Sequence, residues 1–473
     1  MSSTNRTIVV DMSMVNQQLL RRVLPIFLSF CALPAVAAKD VLEKHDLSLS
    51  SNRLVQQPST DVYQIVVQAV PEREHQLARA DALNQQVMAL YQSGRYDEAI
   101  ELAEEALALR RQVYGDAHPD VATSMNNLAL LYHTQGRYDG AESLYEEALA
   151  LYRQVYGDSH PDVAMGMNNL AALYQDQGRY NEAEPLYEEA LALLRRVHGD
   201  AHPDVATSMN NLASLYYAQG RYDEAEPLFE ESLALRREIL GDTHPNVANS
   251  MNNLAELYQD QGRYDEAEPL LEEALALRRE VLGDAHPNVA QSMNNLAALY
   301  HIQGHYDEAR PLYEEALALY RRVLGDAHPD VATSMDNLAA LYHVQGRYDE
   351  AEPLYEKALA LRRELLGDAH PDVATSENNL AALYHVQGRY DEAEPLYEEA
   401  LALRRELLGN AHPDVALSMN NLALLYHDQG RYDEAEPLYE DALAIAESLL
   451  GENHPYTVFI RRNLESLRNQ QTE

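Results

Sequence analysis

Histidine recurs in this chain with a fixed step of 42 residues, and histidine is the residue most ready to bind metal or move protons near neutral pH. One series precedes proline, from His118-Pro119 to His454-Pro455. A second lies further on in later copies, at His301, His343, His385 and His427. Neither spacing suits a metal. Successive copies of a helical unit stand about 10 Å apart, whereas zinc ligands lie about 2 Å from the ion, so one histidine per copy does not converge. Paired carboxylates such as Glu188-Glu189 and Glu398-Glu399 fall on a polar face with nothing to desolvate them, which argues against acid–base work. Loose Ca²⁺ association by that face stays open. The sole cysteine is Cys31, so the repeated part holds no thiol chemistry. No phosphate-binding glycine loop, H-E-x-x-H or G-x-S-x-G stretch occurs. The expectation is no catalytic residue, no metal and no cofactor.

The elements that would position these residues follow from the same period. Gly-x-Tyr turns stand at every 42nd residue from Gly94–Tyr96 to Gly430–Tyr432. Nine units fill 77–454, and a period of this size marks a solenoid whose units bury their apolar faces only against neighbours. In the unit starting at Pro161, proline suits a first helical position. Met167, Leu170, Ala171 and Tyr174 follow at the i, i+3, i+4, i+7 spacing of one helix face. Gly178 ends that helix. A second opens near Asn181, with Ala183, Leu186, Tyr187, Ala190, Leu194 and Val197 on its apolar face and Gly199 as a left-handed cap. Ala171, Ala183 and Ala190 permit close approach, and Tyr174, Tyr180 and Tyr187 fill the space between as core rather than as stacking platforms. Pro185 and its equivalents lie near enough to the helix start to be tolerated. Residues 455–473 read as a more polar capping helix and tail.

Met167-x2-Leu170-Ala171-x2-Tyr174, followed by Ala183-x3-Tyr187, resembles the tetratricopeptide repeat. The 42-residue length and the stretch from Gly199 to Ala213 are similar to the longer repeat of kinesin light chains and their bacterial relatives. The resemblance implies an all-α, right-handed superhelical solenoid of antiparallel helix pairs. It also implies a concave groove, lined by the first helix of each pair, that holds a peptide from a partner.

Placed on that groove by the helical wheel, one stripe carries Asn126, Asn168, Asn210, Asn252, Asn294, Asp336, Asn378 and Asn420. An amide both donates to and accepts from a peptide backbone. The first Asn of each pair is therefore expected to face the groove, and the second, such as Asn169, to bond to the neighbouring unit. Further along come His133, Gln175, Tyr217, Gln259, His301, His343, His385 and His427, whose variation would encode specificity or reflect drift. Kinesin light chains present a positive groove to acidic cargo. This stripe has no Lys or Arg until Arg462, so a neutral or basic peptide is expected instead.

The formal charge is −40. It argues against nucleic-acid backbones and is otherwise a solvated face that keeps the array in solution. Arg21-Arg22, the apolar run from Val23 to Val36 and Ala35-Val36-Ala37 form a secretory leader pattern over 1–37. Its apolar run is shorter than the about 20 residues of a comfortable membrane span. Export follows as the expectation, with an uncleaved membrane anchor as the alternative. Residues 38–76 show no repeat and read as linker, with Val62–Val70 a short apolar run that Pro71 closes. The functional expectation is a non-catalytic scaffold binding partner segments. The alternative is a structural or self-associating rod in the cell envelope.

Overall fold

The computed structural model describes residues 60–472; the leader pattern at 1–37 lies outside them. Nineteen helices and no strand occur among the described residues. After a long helix Thr60–Gln92, a 19-residue second helix alternates with a 16-residue first helix, as in Tyr180–His198 and Pro203–Ala218, up to the final Pro455–Thr472. The helix Thr60–Gln92 continues through Pro71, where the sequence suggested an end. Its later part serves as the first helix of the first unit.

Each end of these helices has a residue-level cause. The histidine of His-Pro takes an extended backbone, and its Nδ1 accepts from the backbone N–H two residues on: Asp204 N–H donates to His202 Nδ1 at 3.2 Å. The His-Pro histidines thus shape helix entry as N-caps, with proline in the position that needs no N–H. The first helix closes on a positive-φ glycine. At Gly136 (φ 70°) the N–H of Arg137 returns to Tyr132 O at 2.8 Å and that of Gly136 to His133 O at 2.9 Å, which satisfies carbonyls the helix leaves open. The second helix starts earlier than expected, at Tyr180 with Arg179 at the cap position. Pro185 is therefore deeper in the helix than its sequence context suggested, and the helix still runs on to His198. Pro185 is exposed, so water can serve the carbonyl it leaves unbonded.

Ala171, Ala183 and Ala190 are fully buried, and Tyr174, Tyr180 and Tyr187 are buried around them. Helix axes approach closely at the alanines, and the tyrosine rings close the gaps between layers. Core residues from Val87 to Leu467 form one continuous cluster along the array.

The array also touches itself at long range. His328, His370 and His412 place Nε2 3.2, 3.0 and 3.1 Å from the carbonyls of Gln92, Thr134 and Asp176, each 236 residues earlier. Since Nδ1 accepts the capping N–H, Nε2 carries the proton and donates. One superhelical turn thus takes between five and six units, and consecutive turns pack directly on one another.

Candidate functional site

The first helices carry the residues the sequence singled out, and burial decides what they can do. Asn126, Asn210, Asn252, Asn294, Asp336, Asn378 and Asn420 are buried, and only Asn168 is half-exposed. Their side chains lie in the seam between successive units. Asn169 Nδ2 donates to Asn126 Oδ1 at 2.8 Å, Asn253 to Asn210 at 2.8 Å, Asn421 to Asn378 at 3.0 Å and Asn463 to Asn420 at 2.9 Å. Ser208 and Ser334 donate to Asn168 and Asn294 at 3.3 and 3.4 Å. In these pairs the first Asn accepts from the second Asn of the next unit, so both amides take part in the seam. The unit step brings side chains 43 residues apart within bonding distance, and a buried amide is costly unless paired.

The second stripe is buried as well, except for half-exposed Gln175. His301, His343, His385 and His427 each meet two tyrosines of the following helix edge-on, as His343 does with Tyr348 at 5.9 Å and Tyr355 at 6.5 Å. Their outer partners come from the last turn of the next first helix. His133 Nε2 is 2.8 Å from Asp176 Oδ2, Tyr217 donates to Asp260 at 2.6 Å, His385 Nε2 is 3.0 Å from Asp428 Oδ2, and His427 Nε2 is 2.9 Å from Gln470 Oε1. Where that place holds Val344 or Val386, opposite His301 and His343, burial pushes the imidazole down to about 4. Both nitrogens of His343 are buried without a partner.

Two further rows were not anticipated. Arg110, Arg236, Arg278, Arg362 and Arg404 of the second helices are buried. Each reaches a serine of the next first helix: Ser124 at 2.6 Å, Ser250 at 2.7 Å, Ser292 at 2.9 Å, Ser418 at 2.7 Å, and Ser376 for Arg362. The sequence signal was a serine 14 residues after each of these arginines. Where Tyr152 stands instead, Gly166 makes the room: a Cβ there would meet Leu149 and Tyr152 within 3.6 Å. Arg362 also pairs with fully buried Asp336, whose carboxyl burial pushes upward against the pull of Arg362. One unit later Glu377 stands where other units have Met; its carboxyl, 2.7 Å from Arg363, is likewise pushed up by burial. The second row is outside. Arg179 lies over the Tyr174 ring at 4.0 Å and binds Glu182 at 2.7 Å and Glu142 of the preceding unit at 2.8 Å, an arrangement repeated at Arg221, Arg263, Arg389 and Arg431.

Among the described residues, His198, His202 and Asp204 are the group whose ligand atoms gather within 4.8 Å. The two imidazoles stack at 4.0 Å and 11°, so their in-plane lone pairs run parallel instead of meeting at one ion, and His202 Nδ1 already accepts the capping N–H. Tyr114 and Tyr156 stack on His118 and His160 in the same manner. His198 fills that packing role in its own unit.

This geometry, with paired helices of constant length and register, accords with comparison to known proteins. The tetratricopeptide repeat family matches nine overlapping stretches between residues 78 and 472. The chain belongs to the tetratricopeptide repeat family. Among solved tetratricopeptide repeat structures, the nearly identical repeats of a kinesin light chain-type protein from Podosopora anserina are 32% identical. They cover 43% of this chain and 97% of that one, with a TM-score of 0.38. BtubC (BKLC) from P. vanneervenii is 28% identical over 49% of this chain and 92% of its own, with a TM-score of 0.40. A Rap protein complexed with Competence and Sporulation Factor shares the fold at 15% identity, covering 78% of this chain and 98% of that one, with a TM-score of 0.52. The secreted RxLR effector protein RXLR-C07 of Plasmopara halstedii is 32% identical over 93 residues, which span 19% of this chain and 27% of that protein. Tetratricopeptide repeats are protein-interaction units, and no described helix is long and apolar enough to cross a membrane.

Proposed function

We propose that the chain is a non-catalytic scaffold that recruits partner proteins through basic segments laid across the exposed acidic rows of its second helices. The observation that carries this reading is the contrast between the two helix sets. The first helices are buried along most of both predicted stripes, whereas Glu146-Glu147, Glu188-Glu189, Glu230-Glu231, Glu272-Glu273, Glu314-Glu315 and Glu398-Glu399 remain exposed at a constant repeat. A periodic anionic surface with a net charge of −40 steers cationic segments and holds them over a length that grows with the number of units engaged. Binding of a fluorescent poly-basic peptide, followed by anisotropy, should weaken several-fold between 50 and 300 mM salt. It should also weaken when Glu188, Glu189, Glu230 and Glu231 become Gln. Equal affinity for an acidic control peptide would overturn the reading.

A peptide held in the concave groove is the second reading. Its support is that Asn168 and Gln175 stay half-exposed on the predicted stripes. Changing both to Ala should then weaken partner capture with no loss of folding. Export is proposed from the leader pattern over 1–37. N-terminal sequencing of the chain recovered outside the cytoplasm should begin after Ala37 or Ala38; a start at Met1 on a membrane-bound form would favour the anchor instead.

A further inference from the structure

The contact between superhelical turns has two unlike surfaces, and the chain leaves each of them uncovered at one end. One surface is the His-Pro corner that begins a first helix. The other is the Gly-x-Tyr turn that ends one. Within the chain, Pro371 seats on Gly136 and His412 on Gly178, where a Cβ would stand 2.8 Å from Pro371 Cδ and from His412 Cδ2. Pro329 and His454 seat in the same way on Gly94 and Gly220. The covered corners His328, His370, His412 and His454 are 3 to 6% exposed. The corners not reached by an earlier turn are open: the side chains of His118, His160 and His202 are 35 to 39% exposed, and His244 and His286 are half-buried. The turns not reached by a later corner are open too, since a Cβ at Gly262, Gly304, Gly346, Gly388 or Gly430 would meet nothing within 4 Å. Five open corners thus lie at one end of the superhelix and five open turns at the other.

We infer that these two ends dock on each other between copies of this chain, so that the protein stacks head to tail into a filament. The occupant is set by continuity with the contact already inside the molecule. The hydrogen bonds of His328, His370 and His412 keep the same 236-residue offset, so one screw motion relates corner to turn at each of them. Because the units repeat every 42 residues, a second copy placed one unit beyond the continuous register, where its helix Thr60–Gln92 clears Pro455–Thr472, presents His118, His160, His202 and His244 to the turns at Gly304, Gly346, Gly388 and Gly430. The two surfaces differ, so the contact is heterologous and does not close on itself, which is the geometry of an open helical filament. Net charge opposes the stacking, so screening by salt should strengthen it. This inference is independent of partner binding along the acidic rows, and either can fail without the other.

The test is sedimentation velocity of the full chain from about 1 to 100 μM at 150 and 500 mM salt, with negative-stain microscopy at the highest concentration. The expected result is a weight-average sedimentation coefficient that rises at least twofold with concentration, more at the higher salt, and rods of one width and variable length. A triple variant, His160→Asp, His202→Asp and His244→Asp, keeps an N-capping side chain but removes the Nε2 donor and sets a carboxylate against the partner's carbonyls. It should stay monomeric with an unchanged circular dichroism spectrum. The same substitution at Ser143, exposed on a second helix away from corners and turns, keeps the association of the parent. A parent that stays monomeric up to 100 μM at both salts would overturn the inference, as would a folded triple variant that associates like the parent.

Discussion

At the scale of single residues, many of the polar groups in the core are completed by a neighbouring unit. His343 is not, being buried against two tyrosines with neither nitrogen bonded. Its imidazole is pushed down to about 4, below the about 6.5 of an unfolded chain. The stability it permits is therefore present above pH 6.5 and lost as the pH falls towards 4, up to about 3 kcal/mol. Asp336 and Glu377, pushed upward by burial, act in the opposite sense, so the test is a difference. His343→Leu should gain on the parent in melting temperature at pH 4.5 relative to pH 7; an identical gap at both pH values would contradict the assignment. The Asp336–Arg362 pair makes a second comparison. Asp336→Asn restores the residue of the other units and should change stability by less than about 1 kcal/mol. Arg362→Leu strands a buried carboxyl and should cost about 3–5 kcal/mol. Urea unfolding that finds the two variants alike would refute this division.

At the scale of elements, the seam between units is held by apolar packing and by amide pairs of opposite origin. Asn253→Ala leaves Asn210 Oδ1 buried without its donor, for an expected cost of about 1–3 kcal/mol. Asn295 faces Asn252, whose Oδ1 has no partner, so Asn295→Ala should cost clearly less in the same denaturation experiment. How far these seams were legible follows from what each depends on. The helices, their caps and the alanine and tyrosine core could be read because each rests on neighbours within one unit. The Asn bonds, the buried arginines and the pairing of His133 with Asp176 join residues of adjacent units. A helical wheel, which treats one helix at a time, assigned several of them to an open face.

At the scale of the whole molecule, the number of units per turn brings distant segments together. Gly136 and Gly262 share a positive φ of 70° and 73°, so replacing either with Ala costs about 1 kcal/mol in backbone strain. Only Gly136 lies under a corner of the next turn. Gly136→Ala should therefore lose a further 1–3 kcal/mol, roughly the cost of overpacking, and small-angle scattering should show a longer, looser particle. Equal losses at Gly136 and Gly262 would mean that turns do not touch in solution.

The amino-acid sequence alone determined the unit: its length, its two helices, the His-Pro cap and the glycine stops. Those features are local, and each copy carries the complete information for them. The pitch of the superhelix was decided only in three dimensions. It is the sum of small rotations between units, each fixed by how side chains such as Tyr187, Arg404 and Asn420 pack across a seam. That pitch covered four of the His-Pro corners and left five corners open at one end and five turns open at the other.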